Sequence, residues 1–249
     1  MITMKLSILL PFALALAAIV PAHAADLQVI AGGGIAQALN EIAAQFEKAS
    51  GHKLTIRYAT TPDLIAMAKN SPFDAVVLPR EFLKDAEAAG KLAGATADIA
   101  RVGLGVAVRA GAPKPDIATP AALKQALLKA QSVGTVPASA AGAQVLKLFE
   151  RLGVQAEVKE KLQAAPGPAK LVEALAAGQA ELGLFLINVL TAPGLDVVGP
   201  VPAELDQQIV YTTGAAGDTA HADAVRAFLA FLQTPAARAV LKARGLTPA

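Results

Sequence analysis

Three stretches of this chain bring small or hydroxyl-bearing residues to the start of a helix, where chemistry with anions becomes available. Gly32-Gly33-Gly34 lies between the apolar run Leu27 to Ala31 and the amphipathic stretch Ile35 to Ala49. Thr60-Thr61-Pro62 follows the strand-like Leu54 to Tyr58, and Ser139-Ala140-Ala141-Gly142 follows Ser132 to Val136. A fourth turn, Gly167-Pro168-Ala169, has the same helix-start character without a clear strand before it. A strand that turns into a helix leaves its first N–H groups without partners at the positive end of the macrodipole. Such a terminus can hold an anion with neutral donors and no countercharge. Taken singly, each turn is equally an ordinary helix cap, Thr60 above all. In open α/β sheets, ligands sit beyond the carboxyl ends of strands, which is where such turns gather.

Other chemistries find little to work with. The glycine triplet is not a dinucleotide fingerprint, which would need a glycine at Ala36 or Gln37, and there is no Walker motif or G-x-S-x-G elbow. The chain has no cysteine, which excludes disulfides, thiol catalysis and cysteine metal sites. His52 and His221 lie far apart in sequence and in no ligand spacing, so no metal site is expected. Arg57, Arg80, Arg101 and Arg109 stand at element edges and could each clamp a carboxylate, although a solvated surface role suits them equally. Asp74 is expected to order a loop, and Tyr58 and Tyr211 to pack in the core. No catalytic residue and no cofactor are expected.

The elements that must position these turns begin after a leader. Lys5, the apolar run Leu6 to Val20 and Ala22-His23-Ala24 read as a secretory signal peptide cleaved after residue 24. The apolar run is shorter than the roughly 20 residues a bilayer demands. Beyond it the charge is nearly balanced: loss of Lys5 leaves 21 of the 22 basic residues against 20 acidic ones. That balance offers no field for nucleic acid.

Strand-like and helix-like segments then alternate, which predicts an α/β architecture with mainly parallel sheets. Strands are expected at 54–58, 75–78, 102–108, 132–136, 182–187 and 208–213. Helices are expected to start at Thr60, Pro79, Thr119, Ser139 and Pro168, and to run over 222–232 and 235–243. The glycine- and proline-rich segments near residues 111 and 200 suggest two chain crossings. They would divide the mature chain into one lobe of residues 25–107 and 206–249 and a second of 108–205, with a cleft able to close by hinge motion.

In this order and spacing the residues resemble the molybdate-binding (ModA-like) periplasmic solute-binding proteins, within the type 2 periplasmic binding fold. The similarity covers essentially the whole mature chain. It is carried by Gly34-Ile35-Ala36-Gln37-Ala38-Leu39, Tyr58-Ala59-Thr60-Thr61, Phe73-Asp74-Ala75-Val76-Val77-Leu78 and Gly178-Gln179-Ala180-Glu181-Leu182-Gly183, and by the closing stretch from Phe228 to Leu246. Val108 to Ile117, Pro137-Ala138-Ser139 and Val198 to Leu205 narrow it to a proteobacterial subgroup.

The resemblance implies two lobes joined by hinge strands, a periplasmic location, a monomer and an inner-membrane ABC-type permease as partner. It also implies a ligand site of Gly33, Gly34, Thr60, Thr61, Ser139, Ala140, Ala141, Gly142, Ala169 and Leu186. Within that site Gly34 replaces a contacting serine, Leu186 replaces a tyrosine, and Pro168 has no N–H to give. Each lost hydrogen bond to an anion is worth roughly 1.5–3 kcal/mol, so two missing hydroxyls weigh against molybdate.

The function expected is capture of a small anion, either an oxyanion or a compact organic acid, without catalysis. The alternative is an isomerase of a small polycarboxylate on the same fold, similar to aconitate isomerase. A 1,3-proton shift would then have to draw on Thr60, Thr61, Ser139, Tyr58, Arg80 or Arg109.

Overall fold

The computed structural model describes residues 24–83 and 90–249. The leader therefore lies outside the described residues, except for Ala24. No helix among the described residues is long and apolar enough to cross a membrane.

Among the described residues, eleven strands form two sheets. The first contains β1 (Asp26–Gly32), β2 (Lys53–Ala59), β3 (Ala75–Pro79), β4 (Leu92–Val102), β10 (Ile209–Ala216) and β11 (Thr247–Pro248), in the order β11-β4-β10-β3-β1-β2. The second contains β5 (Leu104–Arg109), β6 (Val133–Thr135), β7 (Leu162–Ala164), β8 (Leu182–Leu186) and β9 (Leu195–Pro200), in the order β7-β6-β8-β5-β9.

Both sheets are mixed rather than mainly parallel. β1 pairs in parallel with β2 and β3, and β6 with β7 and β8. β10 is antiparallel to β3 and β4, and β5 is antiparallel to β8 and β9. The reason is connectivity. β5 and β10 are the first strands after each chain crossing, so each enters its new sheet from the other lobe rather than through a βαβ unit.

The helices follow the apolar spacing. α1 (Ala36–Ser50) buries Ala38, Leu39, Ile42, Ala43 and Phe46 on one face and ends at Gly51 in the left-handed region, φ 77°. Phe46 packs on Phe228 of α8 (Ala222–Leu232), with ring centroids 5.3 Å apart. The remaining helices are α2 (Thr61–Asn70), α3 (Pro120–Lys129), α4 (Ala140–Leu152), α5 (Gln155–Lys159), α6 (Pro168–Ala176), α7 (Ile187–Leu190) and α9 (Pro235–Ala243). Of the helix expected from Pro79, residues 80–83 are helical and 84–89 lie outside the described residues.

The largest departure from the sequence reading is at residues 92–108. β4 was not anticipated, because Leu92-Ala93-Gly94-Ala95-Thr96-Ala97 has no hydrophobic alternation and its residues 93–97 are exposed. The expected single strand Val102 to Val108 is two strands in two sheets, and the chain changes sheet at Gly103. Leu104 to Ala107, expected in the first lobe, pair with β8 and β9 in the second sheet. The glycine-proline segment near 111 is a loop after β5, not a crossing.

The return crossing spans residues 201–208. Its Asp206 Oδ1 accepts the Leu104 N–H at 3.0 Å, tying the two crossings together. Gly103 is bare for the same reason, since a Cβ there would lie 2.5 Å from Asp206 Oδ2.

Candidate functional site

Four turns meet at the interface of the two sheets. β1 delivers Gly32-Gly33-Gly34, β2 delivers Ala59-Thr60-Thr61, β6 leads to Ser139-Ala140-Ala141, and Pro168 opens α6. Together with Leu186 and Tyr211 they line one cleft. Its internal cavity is about 30 Å³, room for a water or two and little more.

Each wall has its own construction. None of the three glycines has a positive φ, so backbone conformation does not call for them. Close approach does. A Cβ on Gly32 would meet Tyr211 Cε1 at 3.3 Å and Pro79 Cδ at 3.4 Å. One on Gly33 would meet the Pro168 ring at 3.4 Å. One on Gly34 would overlap both Leu186 Cδ1 and Tyr211 Oη. The bare triplet thus seats residues of both lobes, and the space freed at Gly34 is already filled.

At the second wall, the Thr61 N–H donates to Ala138 O across the cleft at 3.0 Å. Thr60 precedes α2 with extended backbone, and its side chain makes no capping hydrogen bond. The expectation that Thr60 acts as an ordinary cap therefore fails, and its hydroxyl is half-buried at the cleft.

At the third wall, Ser139 Oγ accepts the Gly142 N–H at 3.0 Å and donates to Val136 O at 2.8 Å, while the Ser139 N–H also bonds Val136 O. Both donors of Ser139 are spent within the turn. The residue lines the cleft but holds α4 in place, so that its first two N–H groups, on Ala140 and Ala141, stand at the lining.

Of the ten residues predicted from sequence, Gly33, Gly34, Thr60, Thr61, Ser139, Ala140, Ala141 and Leu186 gather at the lining. Gly142 does not. Its N–H is taken by Ser139, and a Cβ on it would run into Val136 O, so its glycine serves helix packing. Ala169 does not either. It is exposed, and the neighbouring Pro168 faces the cleft instead.

Sequence reasoning missed Tyr211. It is 2% exposed, as core packing predicted, yet its hydroxyl reaches the lining from the middle of the first sheet. Burial raises its pKa, which keeps the phenol protonated. Asn188 was also missed. It belongs to the second lobe, and its Nδ2 donates to Gly34 O of the first at 2.9 Å. Neither residue carries a local signal, because both act through partners distant in sequence.

Apart from Tyr211, no ionisable side chain lines the cleft among the described residues. None of the four arginines singled out in the sequence lines the cleft: Arg57 donates to Pro72 O at 2.8 Å and Arg80 pairs with Asp98. Among the described residues no three His, Cys, Asp or Glu side chains come together as a metal site. The arrangement is a small neutral cleft of N–H groups and hydroxyls, closed from two sides.

Residues 27–247 match the family model described as bacterial extracellular solute-binding protein. The chain is 35% identical to an aconitate isomerase from a Pseudomonas species, over 89% of this chain and 87% of that one. It is 27% identical to the molybdate-binding protein ModA of Azotobacter vinelandii, over 90% of each. Among solved structures it resembles a sulfate-binding protein of Mycobacterium tuberculosis. The TM-score is 0.75 at 16% identity, with 90% of this chain and 87% of that one covered.

Proposed function

The chain belongs to the bacterial extracellular solute-binding protein family, and from that premise we propose that it captures a small anion in the interlobe cleft and delivers it to an ABC-type permease of the inner membrane. The two sheets with their helices act as the two lobes, and Gly103 and residues 201–208 are the hinge. The leader expected at residues 1–24 carries the protein to the periplasm.

The observation that carries this reading is the composition of the lining. The first N–H groups of α4, those of Gly33 and Gly34, and the hydroxyls of Thr60 and Thr61 surround one cleft with no fixed charge. Neutral dipoles can hold a dehydrated anion, because hydrogen bonds to an ion strengthen where water is excluded. A cationic or large apolar solute would find neither charge nor volume there.

The second reading, isomerisation of a small polycarboxylate, is favoured by the 35% identity to an aconitate isomerase. A proton shift needs a group that both gives and takes a proton near neutrality. Among the described residues the lining offers hydroxyls and backbone groups rather than a histidine, carboxylate or amine, which supports capture. A tricarboxylate would also have to open a cavity of about 30 Å³ before entering.

The test is a thermal-shift screen of the purified protein with molybdate, tungstate, sulfate, phosphate, citrate and cis- and trans-aconitate. A ligand at 100 times its Kd adds about 2.7 kcal/mol of stability, which raises the melting temperature measurably. An unmoved melting temperature across the panel rejects anion capture. Interconversion of the aconitate isomers in a parallel assay rejects capture without catalysis.

A further inference from the structure

Tyr211 is the one polar lining residue to which the functional reading gives no part, and its placement is not what a core residue needs. β10 sets it between Pro79 of β3 and Ala100 of β4, in the centre of the first sheet. Its ring edge lies over Gly32 and its hydroxyl over Gly34, where a side chain at residue 34 would otherwise stand. A buried phenol normally finds a hydrogen-bond partner, since leaving one unpaired costs stability. Among the described residues no hydrogen bond involves this hydroxyl, and its oxygen is not sealed in the core but opens onto the cleft. A phenylalanine would fill the same core space at no such cost, so the oxygen has a task outside the core.

We propose that Tyr211 is the specificity-determining donor of the cleft, giving one hydrogen bond to the bound anion from the place its oxygen takes because residue 34 is a glycine. The inference rests on the anion-capture reading. It assigns the hydroxyl of this wall to a residue 177 positions further along the chain (211 minus 34). The chemistry that follows differs from that of a serine. A short hydroxyl rotates to suit its acceptor, whereas a ring packed on Gly32 and Pro79 fixes the phenol oxygen in one place on the lining. Beside it stands Leu186, which offers no hydrogen bond. The cleft therefore accepts a compact oxygen-bearing anionic head, with one oxygen at the phenol and others at the helix starts. Such a head comes as a free inorganic oxyanion or as one end of an organic acid.

Isothermal titration of the purified protein with molybdate, sulfate, phosphate, cis-aconitate and trans-aconitate separates those sources and provides the reference affinity. Tyr211→Phe is then titrated with whichever anion binds, beside Tyr58→Phe as a control. Tyr58 also loses one phenol oxygen, but that oxygen bonds Asn40 Oδ1 at 2.6 Å, outside the cleft lining. The expected result is about a tenfold weaker Kd for Tyr211→Phe, no loss in its urea midpoint, and unchanged affinity for Tyr58→Phe. A Tyr211→Phe affinity within twofold of the unsubstituted protein overturns the inference and leaves anion capture standing. Failure of the unsubstituted protein to bind any anion in the panel overturns anion capture, and this inference with it.

Discussion

The lining residues divide into those that offer a group to the cleft and those that hold others in place. Ser139 belongs to the second kind, because its N–H and O–H are both committed to Val136 O. Gly34 does both, lining the cleft while its bare Cα leaves room for Leu186 and Tyr211. Gly34→Ser is therefore expected to destabilise the protein by about 1–3 kcal/mol through overpacking, read as a lower urea midpoint. Adding Leu186→Ala to it should recover part of the loss, since one of the two clashing groups is gone. A Gly34→Ser variant as stable as the unsubstituted protein would show that the wall yields more easily than its packing indicates.

The elements were mostly legible where one residue type carries a local requirement. Gly153 and Gly178 mark helix ends by residue type and neighbours alone, and each has a positive φ at or just beyond one. Pro62, Pro120, Pro168 and Pro235 all sit in first turns. β4 was not legible, because it is held by β10 and β11 on either side rather than by a face of its own. The site residues Tyr211 and Asn188 were hidden for the related reason that register across a sheet, or contact across a cleft, has no period in sequence. At this scale Ser139→Ala is expected to cost about 1 kcal/mol of stability. It should also weaken anion binding, because the N–H groups of Ala140 and Ala141 lose the cap that fixes the turn. Chemical denaturation and titration calorimetry on the same sample read both effects.

Glu47, near the end of α1, fastens the helix to β2 by accepting the Leu54 N–H at 2.8 Å. That hydrogen bond holds its pKa below the usual 4.5, with Lys53 adding to the effect and partial burial opposing it. A depressed folded-state pKa contributes stability above the unfolded value that is lost as pH falls through the folded one. The stability difference between the unsubstituted protein and Glu47→Gln should thus be constant at neutral pH and shrink below about 4.5. Denaturant titrations at several acid pH values measure it. A difference that stays flat to pH 3 would remove Glu47 from the acid response.

The whole molecule is two sheets meeting over a cleft, with strands changing sheet at Gly103 and after Pro200. Among the described residues, two hydrogen bonds cross the cleft directly, Thr61 N–H to Ala138 O and Asn188 Nδ2 to Gly34 O. A ligand that favours the closed arrangement binds more weakly when that arrangement is less populated. Asn188→Ala removes one crossing bond without altering a lining residue. It is expected to weaken anion binding by up to about tenfold, the equivalent of one hydrogen bond. It should also enlarge the radius of gyration in small-angle scattering, with the enlargement reversed at saturating anion. Unchanged scattering together with unchanged affinity would mean that closure does not depend on this contact. The rhythm of strands and helices made the α/β class legible, whereas the two-lobe division rested on the glycine- and proline-rich segments and on the family resemblance. The position of the first hinge was not legible, because Gly103 is bare for Asp206, which lies in the other crossing.

The mutual exclusion among Gly34, Leu186 and Tyr211 has a consequence for how such a site can change over generations. A side chain at 34 is incompatible with both neighbours as they stand, and removing the phenol alone leaves the cleft short of a hydroxyl. Single substitutions at these positions therefore pass through forms that are overpacked or poorly binding. A change of solute along this wall requires paired substitutions, which isolates each specificity as a separate peak.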